Sequence, residues 1–339
     1  MNKKNRMIIF KILICILMPL SCNSGIRSSN PEYYLTKSEV STHLRFLASD
    51  ELKGRKTGSA EAGIAARYIA EQFRSAGLKS FSNTDSFLQK IKLGIKGNNI
   101  IHASDSQIVT CNNVIGYIEG TDPELKDEYI LLIAHYDHLG ILSRNERTGT
   151  DSIYNGARDN GVGTIALISA AKALAEDPPA RSVIFIASTG EEEGMLGSKY
   201  FIKNPLIELQ KIVFTINCDG GGYNDTTIIR IGGLNRTSVW QFVTKGAKRY
   251  GLTSLPYPDE LEYLFYLSDS SPFTQIGIPA ITISQGFDKI DEEILKYIHT
   301  TADKADDSFN YSYLLKFCKI YIAISRMVAD SYNVHSTDY

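Results

Sequence analysis

The sequence predicts an α/β fold: a three-layer sandwich with a mostly parallel central sheet and helices on both faces. Three observations carry that prediction. Four apolar runs, Tyr129 to Ala134, Ser182 to Ala187, Ile212 to Ile216 and Ala280 to Ser284, are short and rich in Ile, Val, Leu or Phe. Unbroken apolar runs of this length mark strands buried on both faces, as in parallel sheets. Helical segments alternate with them, above all the Ala-rich stretch Gly161 to Ala175 between the first two runs, giving a strand-helix-strand rhythm. From Pro31 to about Asp330 there is no Pro/Gly/Ser linker, repeat or low-complexity tract, so residues 31–339 read as one domain.

The remaining elements follow in chain order. Lys3, Lys4 and Arg6 precede an apolar run from Ile12 to Leu20 that ends in Pro19-Leu20-Ser21-Cys22. Residues 1–21 therefore read as a signal peptide, and the run is well short of the ~18 residues that span a bilayer. The segment resembles the bacterial lipoprotein signal, with Pro19 where such boxes usually carry Leu. That resemblance implies export and a lipid on Cys22 as the only membrane attachment, with the chain facing the periplasm or cell surface. Residues 22–30 are small and polar and suit a flexible tether. Ala60 to Ala76 is helical in pattern and Phe87 to Tyr117 is β-rich. Tyr311 to Ala329 reads as a covering helix with Leu314, Leu315, Cys318, Ile322 and Ile324 inward.

Composition removes some classes of function. A net charge of −2 gives no basic footprint for nucleic acid. Past Cys22 only Cys111, Cys218 and Cys318 remain, without metal-knuckle spacing, and they are expected to be buried thiols rather than a disulfide framework.

Chemistry gathers where the apolar runs end, which is where open α/β sheets place ligands. His135-Tyr136-Asp137-His138 follows the first run, Gly190-Glu191-Glu192-Glu193 the second and Asn217-Cys218-Asp219 the third. A loop after the fourth leads to His299-Thr300-Thr301-Ala302-Asp303, and Arg158-Asp159-Asn160 precedes the Ala-rich helix. Each signal has an ordinary reading by itself: a structural histidine, a solvated glutamate loop, a helix N-cap, a turn. Together they would crowd carboxylates at one rim unless a cation offset them. Nitrogen and oxygen donors in this ratio suit zinc. Two histidines and three carboxylates suffice for two ions if Asp159 bridges them, with His135 and Asp219 on one side and Glu192 and His299 on the other. Glu191, next to Glu192, is then placed to act as general base on a water.

The chain resembles the co-catalytic zinc aminopeptidase family, which also holds glutamate carboxypeptidases, glutaminyl cyclases and the inert transferrin receptor ectodomain. The matching stretches are Phe46 to Arg55, Ala134 to Gly140, Asn155 to Gly161, Gly190 to Ser198, Asn217 to Asp219 and Ile298 to Asp303. The resemblance implies the zinc-exopeptidase fold, two zinc ions held by His135, Asp159, Glu192, Asp219 and His299, and Glu191 as base. It implies that Asp137 orients His135, and it suggests Asp303 behind His299. Peptide is the implied substrate, cut from its N-terminus. Arg158 departs from a position that is often acidic in the family, and Ser270 from one that is often His. A tyrosine that stabilises the oxyanion in relatives has Tyr266 as its nearest candidate here, with Tyr263 as rival. A glutaminyl cyclase and an inert binding module are the competing readings. Against the first stand Asn160-Gly161 and Gly194 with Gly197-Ser198; against the second stands the intact set of five ligands and a base.

Overall fold

The computed structural model describes residues 35–81, 86–96, 99–101, 107–142, 151–234 and 237–334. The signal, Cys22 and the tether lie outside the described residues. Its strands are β1 (Leu88–Lys96), β2 (Asn99–Ile101), β3 (Gln107–Ile118), β4 (Tyr129–His135), β5 (Gly140–Ile141), β6 (Ile153–Tyr154), β7 (Ser182–Ser188), β8 (Ile212–Cys218), β9 (Ile228–Gly232), β10 (Thr253–Pro256) and β11 (Ala280–Gln285). Its helices are α1 (Lys37–Leu47), α2 (Ala60–Ser75), α3 (Val162–Glu176), α4 (Leu196–Lys203), α5 (Trp240–Arg249), α6 (Ser270–Gln275), α7 (Glu292–Leu295) and α8 (Tyr311–Asp330). The four apolar runs are thus β4, β7, β8 and β11.

These four strands are adjacent and parallel at the centre of a nine-stranded sheet ordered β10-β9-β11-β8-β4-β7-β3-β1-β2. The flanks differ from the centre: β3, β1 and β2 form an antiparallel arm beside β7, and β9 runs antiparallel to β11. The sheet is therefore mixed: the strands that the apolar runs identified form its parallel centre, and β9 and β10 pair in parallel at one edge.

Alternation along β4 shows why both faces are covered. Ile130, Leu132 and Ala134 join the larger core with residues of α2, α3 and α8, whereas Leu131 and Ile133 pack with Phe201 of α4 and Phe273 of α6. Side chains of period two thus feed two separate apolar layers. Truncating a fully buried position such as Ile133 to Ala would cost about 2–5 kcal/mol. The Ala-rich α3 is buried from Val162 to Ala171, its small side chains letting it sit between the sheet and α8. Leu314, Cys318, Ile322 and Ile324 of α8 are buried as expected, and Leu315 packs at the margin. Cys111, Cys218 and Cys318 are free and buried.

Candidate metal centre

The parallel strands deliver their terminal residues to one edge. His135 is the last residue of β4, Glu191 and Glu192 follow β7, and Asp219 follows β8. The turn after β7 depends on Gly190, whose φ is +71° and where a Cβ would lie 2.9 Å from that of Leu196. Asp159 and Asn160, joined by a cis peptide bond, stand in the short irregular turn ahead of α3. His299 arrives on the loop after α7, in a left-handed conformation with φ 53°.

The two oxygens of Asp159 face different partners. Oδ1 is 3.5 Å from His135 Nε2, and Oδ2 is 3.1 Å from His299 Nε2. His135 Nε2 is also 3.3 Å from Asp219 Oδ1 and 4.0 Å from Glu191 Oε2. His299 Nε2 is 3.3 Å from Glu192 Oε2. Donor atoms of His135, Asp159 and Asp219 all lie within 4.8 Å of one another, as do those of His138, Asp159 and Glu192. In the second group His138 Nδ1 already donates to Glu192 Oε1 at 2.6 Å, a hydrogen-bond length. It therefore holds the carboxylate, while His299 faces the oxygens that remain. Asp159 belongs to both groups, and their oxygen and imidazole donors are of the kind that zinc takes.

The local electrostatics show the same crowding. Burial, with repulsion from Asp219, Asp269 and Glu192, raises the Glu191 carboxyl well above its ordinary range, against an opposing pull from His135. Burial would also raise Glu192, but hydrogen bonds from His138 and His299 hold it well below. Burial opposes the His135 imidazolium, yet the charges of Asp219, Glu191 and Asp159 raise its pKa far above the ordinary value. His299 is raised to about 10 by hydrogen bonds to Asp159 and Glu192. Carboxylates held this close retain protons or a cation.

Supporting residues fix these groups. Asp137 is fully buried, accepts from the Thr57 hydroxyl at 2.8 Å and from the Glu191 N–H at 3.3 Å, and is raised to about 6 by burial. Its carboxylate is 3.8 Å from His135 Nδ1, whose nearer neighbour is the Asp137 carbonyl at 3.3 Å. Asp303 is not behind His299. It accepts from the backbone N–H groups of Arg158 and Asp159 and so backs the turn that carries Asp159 instead.

Tyr266 does not line the cavity. Residues Asp259–Leu267 wind as a 3-10 helix whose buried positions are Leu261 and Phe265, leaving Tyr263 and Tyr266 at 54% and 39% exposure. The tyrosine on the cavity wall is Tyr257, whose hydroxyl donates to Ser284; that serine in turn donates to the carbonyl of Asp219. Ser270 is buried against Thr282, away from the cavity.

Three residues carry roles that sequence reasoning did not assign, two of them, Arg55 and His138, within the quoted motifs. Buried Arg55 donates to the carbonyls of Leu47, Tyr136, Asn155 and Gly156, tying the start of the chain to the loops that hold His135 and Asp159. Buried Asp269 accepts from Ser188 and Ser198 on either side of the glutamate loop. His138 packs against Gly156, where a Cβ would come within 2.7 Å of its ring. The signal for Arg55 and His138 was the presence of fixed-charge or titratable residues inside motifs otherwise made of ligands and turns.

The cavity beside these donors measures about 370 Å³. Its lining combines the candidate ligands and Glu191 with apolar side chains that include Leu264, Leu267, Phe287 and Ile298.

The description "Peptidase family M28" matches residues 113–324 of the chain, which include every donor described above. The chain belongs to peptidase family M28. Aminopeptidase YwaD of Bacillus subtilis is 25% identical over 202 residues, covering 58% of this chain and 40% of that protein. The alkaline phosphatase isozyme conversion protein of Escherichia coli is 26% identical over 213 residues, covering 61% and 55%. The chain thus spans about half the length of these curated relatives. Among solved structures, a zinc aminopeptidase from Bacillus subtilis superposes with a TM-score of 0.63 at 16% identity, over 88% of this chain and 95% of the other. A Zn-dependent exopeptidase from Parabacteroides distasonis gives 0.64 at 18% identity, over 86% and 98%. A glutaminyl cyclase from Bacteroides thetaiotaomicron gives 0.59 at 17%, over 85% and 97%. These likenesses establish the fold.

Proposed function

We propose that the chain is a zinc-dependent aminopeptidase with two ions, one held by His135, Asp159 and Asp219 and the other by Asp159, Glu192 and His299. The observation that supports it most is that one cavity is lined both by this acidic cluster and by apolar side chains. A free α-ammonium group suits the carboxylates, and an apolar N-terminal side chain suits the wall of Leu264, Leu267, Phe287 and Ile298. Among the described residues that line the cavity none is Lys or Arg, the side chains that would grip a C-terminal carboxylate.

Zinc bound there would lower the pKa of a water and polarise the scissile carbonyl. Glu191, which lines the cavity beside His135, would serve there as the base toward a water and as the proton donor to the leaving amine. Asp137 fixes the Glu191 backbone and the end of β4, keeping base and His135 in register. Asp269 holds Ser188 and Ser198 and so steadies the loop that carries Glu191.

A panel of aminoacyl amides, N-acetylated peptides and an N-terminal Gln peptide tests this reading. Hydrolysis of amides with free amines, fastest for apolar residues, is the expected result. Release of C-terminal residues from acetylated peptides would overturn it in favour of a carboxypeptidase, and Gln cyclisation without hydrolysis in favour of a cyclase. We further propose that residues 31–339 act as one exported domain, lipid-anchored through Cys22. Palmitate labelling that disappears in Cys22→Ala is the expected outcome, and no labelling of the wild type would overturn it.

A further inference from the structure

Arg158 is a buried guanidinium beside the candidate metal centre that the proposed chemistry does not use; its side chain is 6% exposed. Burying a guanidinium is costly unless it is paired. Here Nη1 donates to Asp303 Oδ1 at 3.0 Å, while the same carboxylate accepts from the backbone of Arg158 and Asp159. The guanidinium carbon lies 3.6 Å from the ring centroid of Tyr297, with Phe309 at 5.0 Å and Tyr223 at 5.3 Å. Three aromatic faces and one carboxylate therefore box a single cation.

The position of these partners in the chain matters more than their number. Tyr297 lies two residues before His299 and Asp303 four residues after it, whereas Arg158 is adjacent to Asp159. One side chain thus ties both ends of the half-exposed loop carrying His299 to the turn carrying the bridging carboxylate. The other side of the centre is held differently, since His135 and Asp219 stand at the ends of adjacent strands β4 and β8.

We propose that Arg158 is a positioning residue that sets His299 against Asp159 and Glu192, and so controls the metal position on the His299 side without controlling the other. This rests on the two-ion reading above. Arginine is suited to the task because its plane stacks and ion-pairs at once, which a lysine ammonium cannot do.

The test is zinc stoichiometry and affinity, by chelator competition, for the full chain and for Arg158→Ala, Arg158→Lys, Tyr297→Ala and Tyr297→Phe. Arg158→Ala should weaken one of two ions about 10- to 100-fold, the range for lost supporting contacts around a metal, and leave the other unchanged. Tyr297→Ala, which leaves no charge unpaired, should reproduce the selective loss should Arg158→Ala fail to fold. Tyr297→Phe should restore wild-type binding, and Arg158→Lys should fall between. Two ions bound with wild-type affinity in Tyr297→Ala, or equal weakening of both, would overturn the proposal alone. A wild-type chain that takes up fewer than two ions would overturn the two-ion reading and this proposal with it.

Discussion

The two halves of the candidate centre are built differently. His135, Glu191 and Asp219 stand just at or past the ends of the parallel strands β4, β7 and β8, and the His135 side chain is 2% exposed. His299 stands on a loop in a left-handed conformation, with half its side chain exposed, and depends on contacts made by residues before and after it. A strand end fixes a ligand through the ladder itself, whereas a loop needs additional side chains to do the same. Both halves have supporting residues, Asp137 with its donor Thr57 beside His135 on the first, but on the second they hold the loop itself: His138 on Glu192 and Arg158 against Tyr297.

Glu191→Gln makes the sharpest cut on the strand-end side. It should reduce kcat by about 10²- to 10⁴-fold with zinc content unchanged, measured by steady-state kinetics beside metal analysis. Retained turnover would remove Glu191 from its role. On the loop side, His138→Ala should cost about 10- to 100-fold in affinity for one ion, whereas His138→Asn, which keeps a donor where Nδ1 stood, should recover much of it. Equal losses in both would show that His138 acts through bulk rather than through its hydrogen bond to Glu192.

A smaller effect concerns pH. In the metal-free fold His299 is raised from 6.5 to about 10, so its protonated form contributes stability that is complete below pH 6.5 and is lost as pH rises toward 10. The melting temperature of chelator-treated protein should therefore decline across that window, and His299→Gln should flatten the decline. Parallel profiles would contradict the assigned contact. The smallest contrast lies between two tyrosines. Tyr257→Phe should lower stability by about 0.5–1.5 kcal/mol through loss of its bond to Ser284, while Tyr266→Phe should leave kcat/KM at the wild-type value. A large catalytic loss in Tyr266→Phe would return that residue to the site.

The same contrast marks what could be read from the sequence. β4, β7, β8 and β11 were legible because strands buried on both faces are uninterrupted apolar runs, and the residues just past them could be read as one rim. Strands β9 and β10 were not: β9 carries Arg230 at its centre, buried through bonds to the Phe287 and Pro256 carbonyls, and β10 ends in Pro256. Tyr266 was misplaced because a 3-10 helix turns side chains by a period that proximity in sequence does not reveal. Asp303 was misplaced for a related reason. Its partners are the backbone N–H groups of Arg158 and Asp159 and the Arg158 guanidinium, more than 140 positions away, and sequence order gives no sign of such contacts.

The central claim is that Asp159 joins two metal positions, and metal analysis of Asp159→Ala beside wild type tests it most directly. The wild-type chain should hold two zinc ions, and the variant should lose or scramble both because each position loses one of its carboxylate oxygens. Two ions retained at full occupancy in Asp159→Ala would contradict the account.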